Sequence, residues 1–255
     1  MNQLHVTTKV LFVLFFSTLF LASDAQSGKS NLELGVGAGI FVYQGDLTPD
    51  PLGSYRTLRP GIVVSAANIL SSSFSVRLNL SLGSLRGNET KYEEPEYRKF
   101  RGFQFRTPVI EVSPQLVWNP FANNNAERGF SPYLFAGVGV GFLRIRRDYS
   151  GYDPTYFGDG NDISQRIALD EQERLPTVRI LVPVGMGIRY NLSPAIAVQA
   201  ETAYRFLSSD YLDGFSQAAN PEKNDHYQVT SAGVILRWGN IKKGRNQLGC
   251  PVIKY

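Results

Sequence analysis

Few residues of this chain carry side chains that suit catalysis or transition-metal binding. The sequence holds two histidines and one cysteine, and only His226 lies beyond an N-terminal segment that we expect to be removed. A serine hydrolase would have to use His226 as its base, and one imidazole does not make a histidine-rich metal site. His226 precedes Tyr227 at the start of a predicted strand, which favours an interfacial or loop role. We therefore predict no enzyme activity, no catalytic residue, no metal and no cofactor.

Aspartates in the long polar segments are the remaining candidates for a cation site. Carboxylate oxygens are the ligands that calcium prefers. The spacing of these residues matches no EF-hand loop, so the signal for calcium is weak. They are Asp46, Asp50, Asp153, Asp159 and Asp162.

Charged residues also recur inside segments that are otherwise apolar. Each occupies an alternate position, on the face opposite the apolar side chains, so all of them point to one side of a predicted sheet. They are Glu33, Arg77, Glu111, Arg179, Arg189, Glu201, Arg205 and Arg237. A gated pore and a catalytic carboxylate pair are two readings. We favour a third, in which ion pairs fill a narrow interior, because buried charges are tolerated only when paired and eight strands leave room only for side chains.

Eight segments with period-two alternation must position these charges. In 32–42, leucine, valine, alanine and isoleucine alternate with glutamate and glycine, and three interior glycines weaken a strand unless something closes around them. We predict strands at 31–43, 58–68, 74–82, 103–118, 133–143, 177–190, 196–206 and 226–238. Pro108 and Pro114 each remove a ladder donor, so we expect a bulge or a strand end there.

The order of connections favours a closed membrane barrel. Connections are short after the second and sixth strands, moderate after the fourth, and long and polar elsewhere; we expect 84–101 to be an exposed loop. Outer-membrane barrels place short turns and both termini in the periplasm and long loops outside. The predicted fold class is all-β, an eight-stranded antiparallel transmembrane β-barrel with long outer loops. A soluble sandwich stays open, because alternation alone does not distinguish lipid from a protein core.

The N-terminal 25 residues indicate export. An apolar run at 10–21 follows Lys9 and precedes small residues ending at Ala25, as in a secretory signal peptide, and it is too short to span a membrane as a helix. We predict a signal peptide at 1–25, the barrel at 26–238 and a periplasmic tail at 239–255, with the chain in the bacterial outer membrane. A periplasmic or secreted soluble domain is the alternative.

The basic tail is the predicted partner contact. It carries Lys242, Lys243, Arg245 and the single cysteine, Cys250. In an oxidising compartment an unpaired cysteine is buried, modified or bonded to another chain. For Cys250 we expect either a free thiol or a disulfide to a partner chain. Although the net charge is +4, the basic residues are scattered, so nucleic-acid binding is not expected.

Residues near strand ends suggest contacts with membrane lipid. Aromatic rings favour the interface, and Tyr43, Trp118, Tyr133, Tyr190 and Trp238 all fall at predicted strand ends. Basic side chains there could meet lipopolysaccharide phosphates or serve as ordinary interfacial anchors. They are Arg101, Arg144, Arg146 and Arg147.

Several blocks of sequence resemble the PorG-like outer-membrane proteins of the type IX (Por) secretion system. They are LELGVGAGIFVYQGDL (32–47), SPYLFAGVGVGFL (131–143), ILVPVGMGIRY (180–190), SSDYLDGFS (208–216) and GCP (249–251). Gly214 stands where the family pattern has a second acidic residue. The resemblance implies a non-enzymatic eight-stranded barrel that contacts a periplasmic ring of PorK-like and PorN-like proteins.

Three functions follow from these observations. The first is the scaffold barrel of a secretion machine, held to its ring by the tail and the short turns. The second is a general small outer-membrane barrel whose loops serve adhesion or surface-protein capture. The third is a lipid-modifying barrel enzyme, which the scarcity of catalytic groups disfavours.

Overall fold

The computed structural model describes residues 32–49, 53–158, 162–175, 177–207, 212–215, 217–219 and 225–238. Within them, ten strands carry most of the chain: β1 (Leu32–Gln44), β2 (Arg59–Ile69), β3 (Phe74–Asn88), β4 (Gln104–Trp118), β5 (Gly129–Gly137), β6 (Gly139–Leu143), β7 (Arg146–Asp148), β8 (Val178–Asn191), β9 (Ile196–Leu207) and β10 (His226–Trp238). Three short helices lie between strands: α1 (Tyr97–Arg101), α2 (Pro154–Phe157) and α3 (Ile163–Gln172). Single 3-10 turns occur at Tyr55–Thr57 and Glu89–Lys91. No helix in the described ranges is long and apolar enough to cross a membrane.

All strand pairings are antiparallel, and they form a cycle. From β3 the order runs through β2, β1, β10, β9 and β8 to β5 and β6, which pair with β4, and β4 pairs back with β3. β1 and β10 join the two ends of the chain along thirteen pairs, from Leu32 with Trp238 to Gln44 with His226. Every described strand except the short β7 therefore has a paired neighbour on both sides, although residues 83–88 of β3 pair only with β4.

β5, β6 and β7 occupy one position of the cycle. All three pair with β4 in a single unbroken register, from Trp118 with Leu134 to Gln104 with Asp148. β5, β6 and β7 thus follow one another along the same edge of β4.

The two prolines of β4 interrupt the neighbouring strand rather than their own. β4 keeps one register with β3 through both Pro108 and Pro114, so the expected bulge or strand end in this strand is wrong. The carbonyl of Pro114 accepts from the Val138 N–H, and that of Pro108 accepts from Arg144 N–H. The missing proline donors therefore face Val138 and Arg144, where the facing strand is broken into β5, β6 and β7.

The two faces of this sheet have opposite character. The outer face is apolar and exposed; for example, Val36 is 58%, Met186 59% and Ile180 65% exposed. On the enclosed face lie charged, amide and aromatic side chains. Six of the eight predicted charges are buried there, and Arg179 and Arg237 are half-buried.

Aromatic rings on the enclosed face occupy the space that glycines on neighbouring strands leave open. A Cβ on Gly61 or Gly83 would lie 2.3 or 2.5 Å from the Phe41 ring. Likewise, a Cβ on Gly187 would lie 2.4 Å from the Tyr133 ring. These three glycines are thus the small partners of large enclosed rings, whereas Gly35, Gly37 and Gly39 of β1 lie against Ser65, the Ala232 backbone and Ser231.

We call the end of the sheet that holds Leu32 and Trp238 the turn end, and the opposite end the loop end. Connections at the turn end are the residues between β2 and β3, β4 and β5, and β8 and β9. At the loop end, the expectation of an exposed loop over 84–101 is wrong for part of the segment, although Lys91, Glu93, Glu94, Tyr97 and Lys99 are exposed. β3 continues to Asn88, and Glu89, Tyr92, Arg98 and Arg101 are buried.

Candidate functional site

Ion pairs occupy the enclosed face from the turn end to the middle of the sheet. Nearest the turn end, Glu33 of β1 lies 3.0 Å from Arg189 of β8 and 2.9 Å from Arg237 of β10. One carboxylate thus pairs with two guanidiniums from strands on different parts of the cycle. The ion pair between Glu33 and Arg189 therefore links β1 to β8, two strands that are not hydrogen-bonded neighbours in the sheet.

A second group lies one level further in. Arg77 Nη1 donates to Glu201 Oε2 at 2.8 Å, and its Nε donates to Gln115 Oε1 at 3.0 Å. The Tyr133 hydroxyl donates to the same Glu201 oxygen at 3.0 Å. The guanidinium of Arg77 also lies 4.5 Å from the centre of the Phe135 ring. Four strands therefore contribute to one charge pair, which crosses the interior.

A third group closes the middle of the interior. Glu111 is fully buried and accepts from Arg205 Nε at 3.0 Å, from the Tyr227 hydroxyl at 2.9 Å and from Ser113 Oγ at 3.1 Å. Three neighbouring side chains donate hydrogen bonds to this carboxylate, so Glu111 is placed to hold strands together. Among the described residues, Arg179 makes no ion pair.

Above these pairs, the loop end is closed by an apolar cluster. We call the described residues of the four loop-end connections the loop cap. Leu47, Phe103, Ile167, Leu212 and Phe215 from the loop cap are buried against strand residues of the enclosed face. The rings of Phe103 and Phe215 stack at 4.4 Å between centres. The long connections thus fold inward over the interior.

Glu89 anchors the connection between β3 and β4 within the cap. It is fully buried, lies 3.2 Å from Arg98, and accepts from Arg101 Nε at 3.0 Å. Arg98 also donates to the Asp46 carbonyl at 3.0 Å, and Arg101 to the Ala218 carbonyl at 3.3 Å. Burial by itself would lower the pKa of Arg101, but the hydrogen bond and charge of Glu89 outweigh it and raise that pKa overall. Three connections are therefore held by one carboxylate and two permanently charged guanidiniums.

A second polar group joins the connection between β9 and β10 to the strands. The Tyr43 hydroxyl lies 2.7 Å from Asp213 Oδ2 and 2.6 Å from Asp225 Oδ1, and all three residues are fully buried. Gly214 has a φ of +90°, and a Cβ there would lie 3.0 Å from Ile145. A side chain is therefore disfavoured at Gly214.

The structure separates the residues predicted to contact lipid. Tyr43 and Tyr133 are buried on the enclosed face, so their expected place in an aromatic girdle is wrong. Trp118, Tyr190 and Trp238 are exposed on the outer face at the turn end. Arg101 is bound to Glu89 inside the loop cap, so it does not face lipid. Tyr43 and Tyr133 follow the alternation of β1 and β5 onto the enclosed face, whereas the position of Arg101 depends on the inward course of its connection.

The remaining predicted site residues are dispersed. His226 lies at the loop end with its ring 5.4 Å from that of Phe206. Asp153 accepts from the Thr155 N–H at the start of α2, and Asp162 pairs with Arg166. Asp50, Asp159, the predicted signal peptide at 1–25, and the tail with Lys242, Lys243, Arg245 and Cys250 lie outside the described residues. In the described part of the chain no three His, Cys, Asp or Glu side chains are grouped to hold a metal.

Comparisons with known proteins complete these observations. Residues 8–244 match a family model described as "Domain of unknown function (DUF6089)". No curated protein matches the chain. Several solved structures are similar, including the following three. Ail of Yersinia pestis in complex with a heparin analogue is 13% identical, with 82% of this chain and 99% of that one covered at a TM-score of 0.44.

The other two are small proteins of similar coverage. Neisserial surface protein A is 16% identical, with 83% of this chain and 100% of that one covered at a TM-score of 0.46. The outer membrane protein OprG of Pseudomonas aeruginosa is 10% identical, with 83% and 97% covered at 0.44. Likenesses at these identities and scores say nothing about what this chain binds.

Proposed function

Because the chain belongs to the DUF6089 family, whose description assigns no activity, we propose its function from its own residues: it is a sealed, non-enzymatic β-barrel of the bacterial outer membrane. The observation that carries this proposal is the inverted distribution of polarity. Ion pairs lie inside, and exposed leucine, isoleucine, valine and methionine side chains cover the outside. Soluble monomers rarely expose apolar patches larger than a few hundred Å², whereas the lipid-facing band of a barrel has this composition.

The cycle of pairings supports closure of the barrel. Every backbone donor and acceptor within hydrocarbon must find a partner, and a closed sheet meets that demand because it has no edge. With eight positions, the interior is filled by side chains. The ion pairs and the loop cap occupy that space, so a scaffold or anchor fits the molecule better than a pore.

We further propose that this anchor belongs to the type IX secretion machinery and contacts a periplasmic ring of PorK-like and PorN-like proteins. The support is the sequence resemblance in five blocks along the chain. In this arrangement the turn end and both termini face the periplasm. Lys242, Lys243 and Arg245 would attract an acidic ring surface, and Cys250 would form a disulfide with a ring protein.

The tail proposal is tested by affinity purification from detergent-solubilised envelopes. The unaltered chain is compared with a variant carrying Lys242→Gln, Lys243→Gln and Arg245→Gln, with Cys250→Ser, and with a chain truncated after Trp238. We expect ring lipoproteins to co-purify with the unaltered chain and to be depleted with the charge variant. A matched control carries Lys91→Gln, Lys99→Gln and Arg174→Gln, three exposed charges at the loop end. Equal recovery of ring proteins with all variants would contradict the role of the tail.

A second function, capture of a surface protein by the loops, is favoured by the ordered loop cap. The connections of the loop cap are folded against one another, so they present a fixed outer surface. Under this alternative, the tail variants keep their function and changes in the loop cap abolish it. A lipid-modifying activity would instead require turnover of lipid by the purified chain and its loss in His226→Ala.

A further inference from the structure

Three arginines lie side by side on the outer face at the loop end. Arg86 of β3 pairs with Arg106 of β4, and Arg106 pairs with Arg146 of β7. We call these three residues the arginine row. Neighbouring strands are ~4.8 Å apart, so the Cα atoms of the row span about 10 Å. Like charges placed directly opposite on adjacent strands repel each other and destabilise a sheet.

The row borders a cleft of about 340 Å³ that is strongly basic. Its charged lining residues are Arg59, Arg86, Arg106, Arg146, Arg147 and Asp148. Asp148 is the single acid among them, and its Oδ1 accepts from the Ser150 N–H. The lining of this cleft therefore carries five arginines and one carboxylate.

The charges of the cleft are not neutralised within the described part of the chain. None of its five arginines makes an ion pair there. Arg147 is held by the carbonyls of Gly214 and Glu171. By contrast, the Nε of Arg59 is buried and has no hydrogen-bond partner among the described residues. An unpartnered guanidinium nitrogen beside other guanidiniums points to an absent anion.

The position of the arginine row along the barrel axis indicates which kind of anion the row meets. Arg106 and Trp118 both lie on the outer face of β4, twelve positions apart. At a rise of ~3.4 Å per residue and a tilt of ~45°, they are separated by about 29 Å along the barrel axis. The apolar band of such a barrel is ~25 Å tall. With Trp118 at one interface, Arg106 therefore lies just beyond the other, at the level of lipid headgroups.

We propose that the arginine row and Arg59 form a binding site for the phosphate group of a phosphorylated glycolipid in the outer leaflet. This inference rests on the proposed function, since it places the loop end at the outer surface. Guanidinium groups bind phosphate through paired, charge-assisted hydrogen bonds, and three in register would engage one phosphate or two neighbouring ones. The exposed side chains of Leu82 on β3, Ile110 on β4 and Phe142 on β6 lie nearer the membrane centre and would contact the acyl chains.

The test measures lipid binding by the full folded chain in detergent, using native mass spectrometry. Diphosphoryl lipid A is the probe, with its dephosphorylated form and phosphatidylglycerol as comparison lipids and inorganic phosphate as a competitor. The variants are Arg106→Gln and the triple variant with Arg86→Gln and Arg146→Gln. Arg128→Gln is the matched control, since Arg128 is an exposed arginine at the turn end.

We expect Arg106→Gln to weaken binding of diphosphoryl lipid A about tenfold, since a charge-assisted hydrogen bond is lost, and the triple variant to weaken it further. Arg128→Gln should bind as the unaltered chain does. Equal binding by all variants, or equal binding of dephosphorylated lipid A, would overturn the site. Displacement of the lipid by inorganic phosphate at similar concentration would overturn the glycolipid assignment in favour of a soluble phosphate.

Insertion of each variant into phosphatidylcholine vesicles is measured first, by protection of the strands from protease. If the unaltered chain inserts but binds lipid A no more tightly than the triple variant does, the phosphate site is wrong and the membrane location stands. If the unaltered chain does not insert, both the site and the membrane location are wrong.

Discussion

Glu111 shows how a single residue holds several strands of this molecule together. Its carboxylate is fully buried on β4 and receives hydrogen bonds from Arg205 of β9 and Tyr227 of β10. Neither β9 nor β10 pairs with β4 along the sheet. A buried charge is stable only while its partner is present, because removal of one member leaves the other desolvated and unpaired. We infer that such residues contribute to stability and rigidity of the interior.

The variant Glu111→Ala should lower the free energy of unfolding by about 3–5 kcal/mol, because Arg205 would stay buried without its counter-charge. The exposed Glu173→Ala is the control, and a surface change of this kind should stay within about 0.5 kcal/mol. Urea titration of the chain in lipid vesicles, followed by tryptophan fluorescence, measures both. A loss below about 1 kcal/mol for Glu111→Ala would show that the pair does not hold the interior.

The connections at the loop end are the elements whose structure the sequence did not reveal. Period-two alternation was enough to place β1, β8, β9 and β10 within a residue or two of their observed bounds, and to place Glu33 and Arg77 on the enclosed face. Period alone carries no information about long-range pairing. The polar connection after β3 therefore looked exposed, although Glu89 is buried with Arg98 and Arg101.

The prediction of a bulge or strand end at Pro108 and Pro114 was wrong for a related reason. A missing N–H affects the strand that would have received it, and which strand lies opposite is a property of the whole sheet. The sequence locates Pro108 and Pro114 but not the partners Arg144 and Val138, so the break was expected in the wrong strand.

At this scale, Glu89→Gln should loosen the loop cap while the sheet remains folded. The amide has nearly the shape of the carboxylate but no charge, so Arg98 and Arg101 lose their counter-charge and their links to the Asp46 and Ala218 carbonyls weaken. Amide hydrogen exchange over 89–103 should become at least about tenfold faster, as the opening free energy falls by more than about 1.4 kcal/mol. Glu93→Gln, an exposed residue of the same connection, is the control. Unchanged protection in Glu89→Gln would mean that the apolar cluster alone holds the cap.

For the molecule as a whole, the distribution of polarity and the cyclic pairing have one common explanation. Ion pairs and glycine-ring contacts fill the enclosed space, and the loop cap covers one end. The apolar outer face requires an apolar partner, which forms no hydrogen bonds. Lipid hydrocarbon is such a partner. The same face would be a serious aggregation liability in water.

The two tryptophans provide the most direct measurement of this central claim. Trp118 and Trp238 are the only tryptophans of the chain, and both are exposed on the outer face at the turn end, at 44% and 53%. In vesicles, lipids brominated near the headgroup should quench their fluorescence more strongly than lipids brominated near the bilayer centre, and aqueous acrylamide should quench weakly. Strong acrylamide quenching with no effect of brominated lipid would place these faces in water and contradict the membrane barrel.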